Sequence, residues 1–288
     1  EAAAVLGHVD VGLVAALLDD DPLEVLDAVD ELAHRRLLVA TSGAVPTFPH
    51  ALVRETALAA LPARRVVELH GRAATAIEAR SGAAEVDAIA HHRVQSATLD
   101  PPAAVRWAAA AGQAARRQLA YEQAMRWFER AVDLAPTGTR QEADLLVELA
   151  EAAGRTASGR ERGRAAAAEA AEIARSLGDA ELLARAAIAF GGPFLGILTA
   201  GFAEPEPVAL AEEALLAMPT EPSPLRARLL ARVATGLGYT PDHQRALEAA
   251  GQALEAARAL GDDTLVEALT AVTSIWNPAD HPEAPTLL

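Results

Sequence analysis

The sequence contains no cysteine and no lysine, and each absence excludes a class of functional site. Without cysteine, the chain can form neither a disulfide nor a thiolate metal site. Without lysine, it cannot contain the phosphate-binding loop of P-loop ATPases, whose G-K-[ST] motif places a lysine on the phosphates. All 25 basic residues are arginines, against 40 acidic residues. The resulting net charge of −15 argues against a general nucleic-acid-binding surface, which needs a basic face.

Aromatic residues are scarce, and the sequence contains no long hydrophobic run. Aromatics make up 3% of the chain, whereas hydrophobic residues make up 51%, and many of these are alanines. Alanine is the strongest helix former, so the composition predicts closely packed helices. No stretch of about 18 apolar residues and no signal peptide is recognisable. We therefore expect a cytoplasmic protein without membrane contact. Because the chain begins without methionine, we expect it to be a fragment of a longer protein.

Residues 10–61 carry the signals of short helices and one hairpin. Asp10 and Asp21 are each placed to act as the N-cap of a helix. The stretch "LLVATSGAVPTF" predicts two short strands, residues 37–40 and 45–48, joined through a serine and a glycine. The order helix, helix, hairpin and helix predicts a small winged-helix-like domain.

Only helical signals are recognisable from residue 84 onward, and they recur. Gly178 followed by Asp179 marks the end of one helix and the start of the next. Equivalent glutamates are spaced 43, 41 and 42 residues apart: Glu129, Glu172, Glu213 and Glu255. A period near 42 residues with two helices per unit predicts a TPR-like α-α superhelix, or α-solenoid.

The predicted fold class is therefore mainly all-α, with two domains. Residues 1–81 would form the winged-helix-like domain with its short β-hairpin and a linker helix over about residues 62–80. Residues 82–288 would form TPR-like helical repeats of about 42 residues. Architecture of this kind predicts a concave interaction surface.

His91 and His92, in "DAIAHHRVQSA", form the most metal-like pair in the sequence. Adjacent residues on a helix point about 100° apart, so both side chains cannot easily hold one ion. Asp87, four residues before His91, would complete at most a two-ligand site. Because zinc normally takes three or four ligands, we expect one packing histidine beside one solvated histidine, and no metal site.

Other polar clusters do not form a recognisable catalytic pattern. The basic segment "GRERGR", residues 159–164, lacks interleaved aromatics for base stacking and predicts a solvated loop and helix start. The segment "GGPFLG", residues 191–196, lacks the G-x-G-x-x-G order and predicts an irregular loop. Neither a Gly-x-Ser-x-Gly elbow nor an HExxH motif occurs. We therefore predict no catalytic residue and no enzyme activity in this chain.

The segment "FPHALVRETALAAL" places His50, Arg54 and Glu55 at the start of a helix that we expect to be buried. No serine or cysteine adjoins them, so they cannot form a nucleophilic relay. One interpretation is structural, with His50 capping the helix and Arg54 pairing with an acid of a neighbouring helix. The other is that the segment senses a ligand held by a part of the protein outside this chain.

Several segments resemble one class of protein. "TFPHALVRETALAALPARRVVELHGRAATAIEA" is similar to the region after the nucleotide-binding domain in STAND-type signalling ATPases, especially the large LuxR-type transcriptional regulators of actinobacteria. "EAAAVLGHVDVGLVAALL" resembles the first winged-helix segment of that family, and "IAHHRVQSATLDPPAAVRWAAAAGQAARRQLAYEQAMRWFERAVDL" resembles its first repeat. "SIWNP" resembles a turn between later repeats. In these proteins an AAA/STAND NTPase precedes a winged-helix-like domain and TPR-like repeats.

The resemblance also implies a role for His50. Related STAND ATPases carry a Met-His-Asp segment here, whose histidine contacts the β-phosphate of ADP in the resting state. His50 is the matching residue, with Ala51 in place of the aspartate, and Arg54 would lie on the same side. A histidine can donate to a phosphate oxygen and so report which nucleotide is bound. ATP or ADP is thus implied as the cofactor of the full-length protein, and none is expected in this chain.

The resemblance implies a non-catalytic regulatory region of an ATP-dependent transcriptional regulator. Its partners would be the upstream NTPase domain and an inducer or partner protein bound by the repeats, without direct contact to nucleic acid. Two alternatives remain open: a free-standing TPR interaction scaffold, or the regulatory region of a signalling enzyme such as a nucleotidyl cyclase.

Overall fold

The computed structural model describes residues 1–39, 45–192, 205–238, 240–258, 260, 266 and 268–272. The described residues are mostly helical (77%), which confirms the mainly all-α prediction. In chain order the helices are α1 (Ala2–Leu6), α2 (Val11–Leu18), α3 (Pro22–His34), α4 (Ala51–Ala59), α5 (Ala63–Ser81), α6 (Val86–Gln95), α7 (Pro101–Arg117), α8 (Tyr121–Leu134), α9 (Arg140–Ala153), α10 (Arg160–Leu177), α11 (Ala180–Phe190), α12 (Pro205–Ala217), α13 (Pro224–Leu237) and α14 (His243–Arg258). A short 3-10 helix, Gly82–Glu85, separates α5 from α6. None of the helices in this described part combines the length and the hydrophobicity needed to cross a bilayer.

The chain folds into two compact units, residues 1–135 and residues 136–288. Helices α1–α8 belong to the first unit, and helices α9–α14 belong to the second. The domain boundary predicted after residue 81 falls inside the first unit, where α5 packs against α6. A division of the chain into a winged-helix-like domain and a repeat domain stays a prediction.

The core of the first unit begins with short helices whose starts were predicted. Asp10 accepts a hydrogen bond from the backbone N–H of Leu13 at 2.9 Å, and Asp21 accepts one from Leu23 at 2.7 Å. Both N-caps are therefore confirmed. The apolar faces of α1, α2 and α3 meet α5 in one core, whose largest members include Val5, Leu17, Val25, Val29 and Leu69.

The predicted hairpin is described only at one position. Val39 and Thr47 form an antiparallel bridge, with hydrogen bonds of 2.8 Å from the Val39 N–H and 3.1 Å from the Thr47 N–H. The predicted turn through Ser42 and Gly43 lies outside the described residues. The winged-helix-like hairpin accordingly stays a prediction.

Helix α4 differs from its prediction, because none of its residues is buried. Leu52 is 64% exposed, and Arg54 and Glu55 follow it in the same turn. Only Leu58 packs, half-buried, against the core of the first unit. A nine-residue helix with this many polar positions has too narrow an apolar stripe to be enclosed by its neighbours.

Helices α7 and α8 pack closely because a glycine faces an aromatic ring. Phe128 is fully buried, and it lies over Gly112 in the middle of α7. A Cβ atom at position 112 would come within 2.8–2.9 Å of the Phe128 ring, closer than van der Waals contact permits. The absence of a side chain at Gly112 thus makes the room that the ring occupies.

The second unit consists of helices that pack in consecutive pairs: α9 with α10, α11 with α12, and α13 with α14. Helix α11 also contacts both α9 and α13, so the first helices of successive pairs are neighbours. Gly178 ends α10 in the left-handed region (φ 66°), and Asp179 caps α11 by accepting from the Leu182 N–H at 3.0 Å. This predicted stop and start is confirmed.

The four glutamates that set the period lie on alternate helices. Glu129 lies on α8, Glu172 on α10, Glu213 on α12 and Glu255 on α14. Within the second unit, Arg175 of α10 donates from Nε and a terminal nitrogen to both carboxylate oxygens of Glu213, at 2.7 and 2.8 Å. The ion pair therefore joins equivalent helices of two successive pairs.

Candidate functional site

His50 occupies the N-cap position of α4, and its side chain makes no capping hydrogen bond. The residue is exposed. The structural interpretation, in which the His50 side chain caps the helix, is therefore wrong. The backbone alone provides the cap position, since the His50 carbonyl accepts from the Val53 N–H at 3.0 Å.

Arg54 is half-buried and binds a backbone carbonyl, whereas an acidic partner had been predicted. Its Nε donates to the carbonyl oxygen of Ala4 at 2.7 Å. Ala4 lies in the last turn of α1, which ends at Leu6 and has Gly7 (φ 83°) as its C-cap. Carbonyl groups at the end of a helix lack an intrahelical partner, so a guanidinium there is stabilising. Arg54 thus has a structural role that ties α4 to α1, while Glu55 is exposed.

Three histidine side chains form a cluster where α5 meets α6. His70 lies on α5, and His91 and His92 lie on α6. Each offers a ring nitrogen, and these nitrogens all lie within 4.8 Å of one another. The Nδ1 atoms of His70 and His92 are hydrogen-bonded at 2.8 Å. The rings of His91 and His92, which were expected to diverge, both approach His70.

The sequence positions of the cluster explain how it forms. His70 belongs to the buried stripe of α5 with Leu69, Ala73 and Ile77. His92 and Ile89 are buried on α6, so packing α5 against α6 brings the buried histidines together. His70 is 7% exposed and His92 is 4% exposed, whereas His91 lies at the surface.

Desolvation lowers the pKa of all three histidines, including the exposed His91. Desolvation, reinforced by the neighbouring His91, lowers the pKa of His70 to about 4. Desolvation, with the charges of His70 and His91, lowers the pKa of His92 to about 3. Desolvation, with the nearby Arg130 and Arg54, also lowers the pKa of His91. His70 and His92 are therefore uncharged at neutral pH, and each of these two imidazoles keeps one unprotonated nitrogen.

Polar contacts around the cluster hold α6 to its neighbours. The Asp87 carboxylate accepts from the Trp127 Nε1 at 2.9 Å, so it is directed to α8. Arg93 donates to Glu78 at 2.8 Å across the contact between α6 and α5. Asp87, which the sequence suggested as the extra ligand, is thus engaged elsewhere, and the third member of the cluster is His70.

The remaining predicted segments are not part of this cluster. "GRERGR" covers the N-cap and first turn of α10, as the predicted helix start requires, and Arg164 lies over the Phe190 ring at 5.7 Å. Most of the loop predicted for residues 191–196 lies outside the described residues. No protein-family model matches the chain, and no curated protein resembles it at a significant level.

No motif in the sequence indicates a role for His70. The signal was present, since His70 occupies an apolar stripe position of α5, where a polar residue requires a partner. This position indicates only that His70 has a hydrogen-bond partner, and it does not indicate which residue that is. Finding the partner requires knowing that α6 crosses α5 at this level.

Proposed function

We propose that this chain is a non-catalytic regulatory region of a STAND-type, ATP-dependent transcriptional regulator of the LuxR type. In this proposal residues 82–288 form TPR-like repeats that bind an inducer or partner protein. ATP would be bound by another part of the protein, because a phosphate-binding loop needs a lysine that this chain lacks. The observation that carries the proposal is the packing of the second unit, where α11 joins its own pair to both neighbouring pairs.

Stacked helix pairs favour a binding role over catalysis. In helical-repeat proteins each unit contacts only its neighbours, and the stack presents an extended binding surface. The inter-pair ion pairs of the second unit, including Arg175 with Glu213 and Arg185 with Asp144, support the same stacking. Both ion pairs are exposed or half-exposed. They therefore contribute little to the free energy of folding and mainly fix how successive helix pairs are oriented.

An apolar groove in the first unit supports a contact with a neighbouring domain. The groove has a volume of about 530 Å³, and its walls include Leu32, Leu37, Phe48 and Leu52. Leu52 is 64% exposed and Leu37 is 43% exposed. Exposed apolar surface of this kind marks an interaction site. Phe48 and Leu52 flank His50 in the sequence, so a domain seated in the groove would lie near His50.

The sensor role of His50 is tested by replacing it in the full-length protein. Because His50 makes no capping hydrogen bond, His50→Ala should leave the melting temperature of this chain unchanged. Loss of one hydrogen bond to a charged phosphate corresponds to about 1.5–3 kcal/mol, or roughly a 10- to 100-fold weaker affinity for ADP. Isothermal titration calorimetry with ADP measures this change.

His34→Ala is the matched control, since His34 is also exposed and lies at the end of α3. It should leave ADP affinity as in the unmodified protein. Equal ADP affinity in the His50→Ala variant and the His34→Ala variant would contradict the sensor role.

A further inference from the structure

The three rings of the histidine cluster have the spacing of imidazoles around one metal ion. Their centroids are 5.0 Å apart for His70 and His92, 5.1 Å for His91 and His92, and 5.7 Å for His70 and His91. Tetrahedral zinc with Zn–N bonds of about 2.0–2.1 Å places ligand nitrogens about 3.3 Å apart and ring centroids about 5 Å apart. The observed triangle matches that arrangement on two edges and is slightly open on the third.

We propose that His70, His91 and His92 bind a divalent transition-metal ion, for which zinc is the best fit. The ion would be held by three imidazoles, with its fourth position open on the exposed His91 side. Three histidines with one open position are an established ligand set for zinc, and imidazole ligands also suit copper and nickel. This site is independent of the proposed regulatory function.

Ion binding requires all three rings to move, because ring nitrogens that now lie within 4.8 Å of one another must come to about 3.3 Å. The Nδ1 atoms of His70 and His92 are 2.8 Å apart and share one proton. Opening this distance by roughly 0.5 Å makes room for the ion between them. The ring that donates through Nδ1 moves its proton to Nε2, so both rings coordinate as neutral imidazoles. No net proton is released, and no other group must change its charge.

The charged residues around the histidine cluster are expected to reduce its affinity for a metal ion. The charged neighbours that act on the three histidines, in the described part of the chain, are cations such as Arg54 and Arg130. No carboxylate is among them, and Asp87 is engaged by Trp127. Loss of an outer carboxylate typically weakens a metal site about 10- to 100-fold. We therefore expect weaker zinc binding than at a carboxylate-supported site.

The position of the ligands also defines what the ion would do. One ligand lies on α5 and two lie on α6, so a bound ion would cross-link these helices. The cross-link would add to the Arg93–Glu78 ion pair, which joins the same two helices. Metal binding should thus stabilise the first unit at the point where the predicted linker helix meets the first predicted repeat.

The test is a titration of the tag-free chain with ZnCl₂, after treatment with EDTA and dialysis. Calorimetry should give one zinc ion per chain. Thermal denaturation should shift upward by about 5 °C or more once free zinc exceeds the dissociation constant a hundred-fold. Cobalt(II) in place of zinc should give the visible absorption of a tetrahedral complex, which reports imidazole ligation without any enzymatic readout.

His91→Ala is the decisive variant, because His91 is exposed and its removal leaves the buried pair in place. It should weaken zinc binding at least about 10-fold, and it should abolish the tetrahedral cobalt spectrum. His34→Ala removes an exposed histidine outside the cluster, so it should bind zinc as the unmodified chain does. Absence of one-to-one zinc binding, or equal binding by the His91→Ala variant and the unmodified chain, would overturn the proposal.

Discussion

Replacing Phe128 with alanine should lower the free energy of unfolding by about 3–5 kcal/mol, the usual cost of removing a buried aromatic ring. Phe128 is 0% exposed and is among the largest fully enclosed side chains of the described residues. Its neighbours on α7 cannot fill the space, since the ring lies over Gly112, which has no side chain to reposition. Urea denaturation followed by circular dichroism measures the change. A loss below about 1 kcal/mol would contradict the close packing of α7 and α8.

Two glycine-to-alanine substitutions, measured by the same urea denaturation, separate the effect of side-chain packing from that of helix propensity. Glycine inside a helix is usually about 1 kcal/mol less favourable than alanine, so Gly251→Ala in α14 should stabilise the chain, because open space surrounds that position. Gly112→Ala should instead destabilise it by about 1–3 kcal/mol, since the new methyl group would overlap the Phe128 ring. Stabilisation by both substitutions would contradict the contact between Gly112 and Phe128.

Acidification is expected to destabilise the metal-free protein before most carboxylates titrate. The pKa of His70 is lowered to about 4 and that of His92 to about 3 in the folded state, against about 6.5 in the unfolded chain. At pH values between the folded-state and the unfolded-state pKa, the unfolded state binds more protons than the folded state. The stability contributed by the neutral rings is therefore complete above about pH 6.5 and is lost as the pH falls toward the folded-state values. From pH 7 to pH 5 we expect a loss of about 2–4 kcal/mol.

The measurement is a series of urea denaturation curves in EDTA between pH 7 and pH 5. His92→Gln removes the group whose pKa is lowered to about 3, so the slope of stability against pH should fall. His34→Ala, a substitution outside the cluster, is the control and should keep the full slope. Stability that does not change with pH over this range in the unmodified chain would contradict neutral burial of the His70–His92 pair.

Local signals in the sequence predicted local structure well. Asp10, Asp21 and Asp179 were recognised as N-caps, and each accepts the expected backbone hydrogen bond. Gly178 was recognised as a helix stop, and its positive φ is the conformation that a glycine adopts most easily. These features depend on residues within one turn of each other, so the sequence contains all the information that specifies them.

The features that the sequence does not predict depend on contacts between distant segments, although His92 is buried beside an exposed His91 as expected. Arg54 binds the carbonyl of Ala4, 50 residues earlier, and no spacing rule indicates a backbone partner so far away. Likewise His70 and His92 are 22 residues apart on different helices, and only the packing of α5 on α6 brings them together. Helical geometry describes only the adjacent pair His91–His92 and does not indicate that the His70 ring lies beside it.

We propose that this chain regulates a nucleotide-binding domain located elsewhere in the same protein. The most direct test is calorimetric titration of ADP into two samples, the 288-residue chain and the full-length protein. We predict one ADP site in the full-length protein and none in the 288-residue chain. Binding of ADP by the chain itself, or the absence of an ADP site from the full-length protein, would contradict the claim.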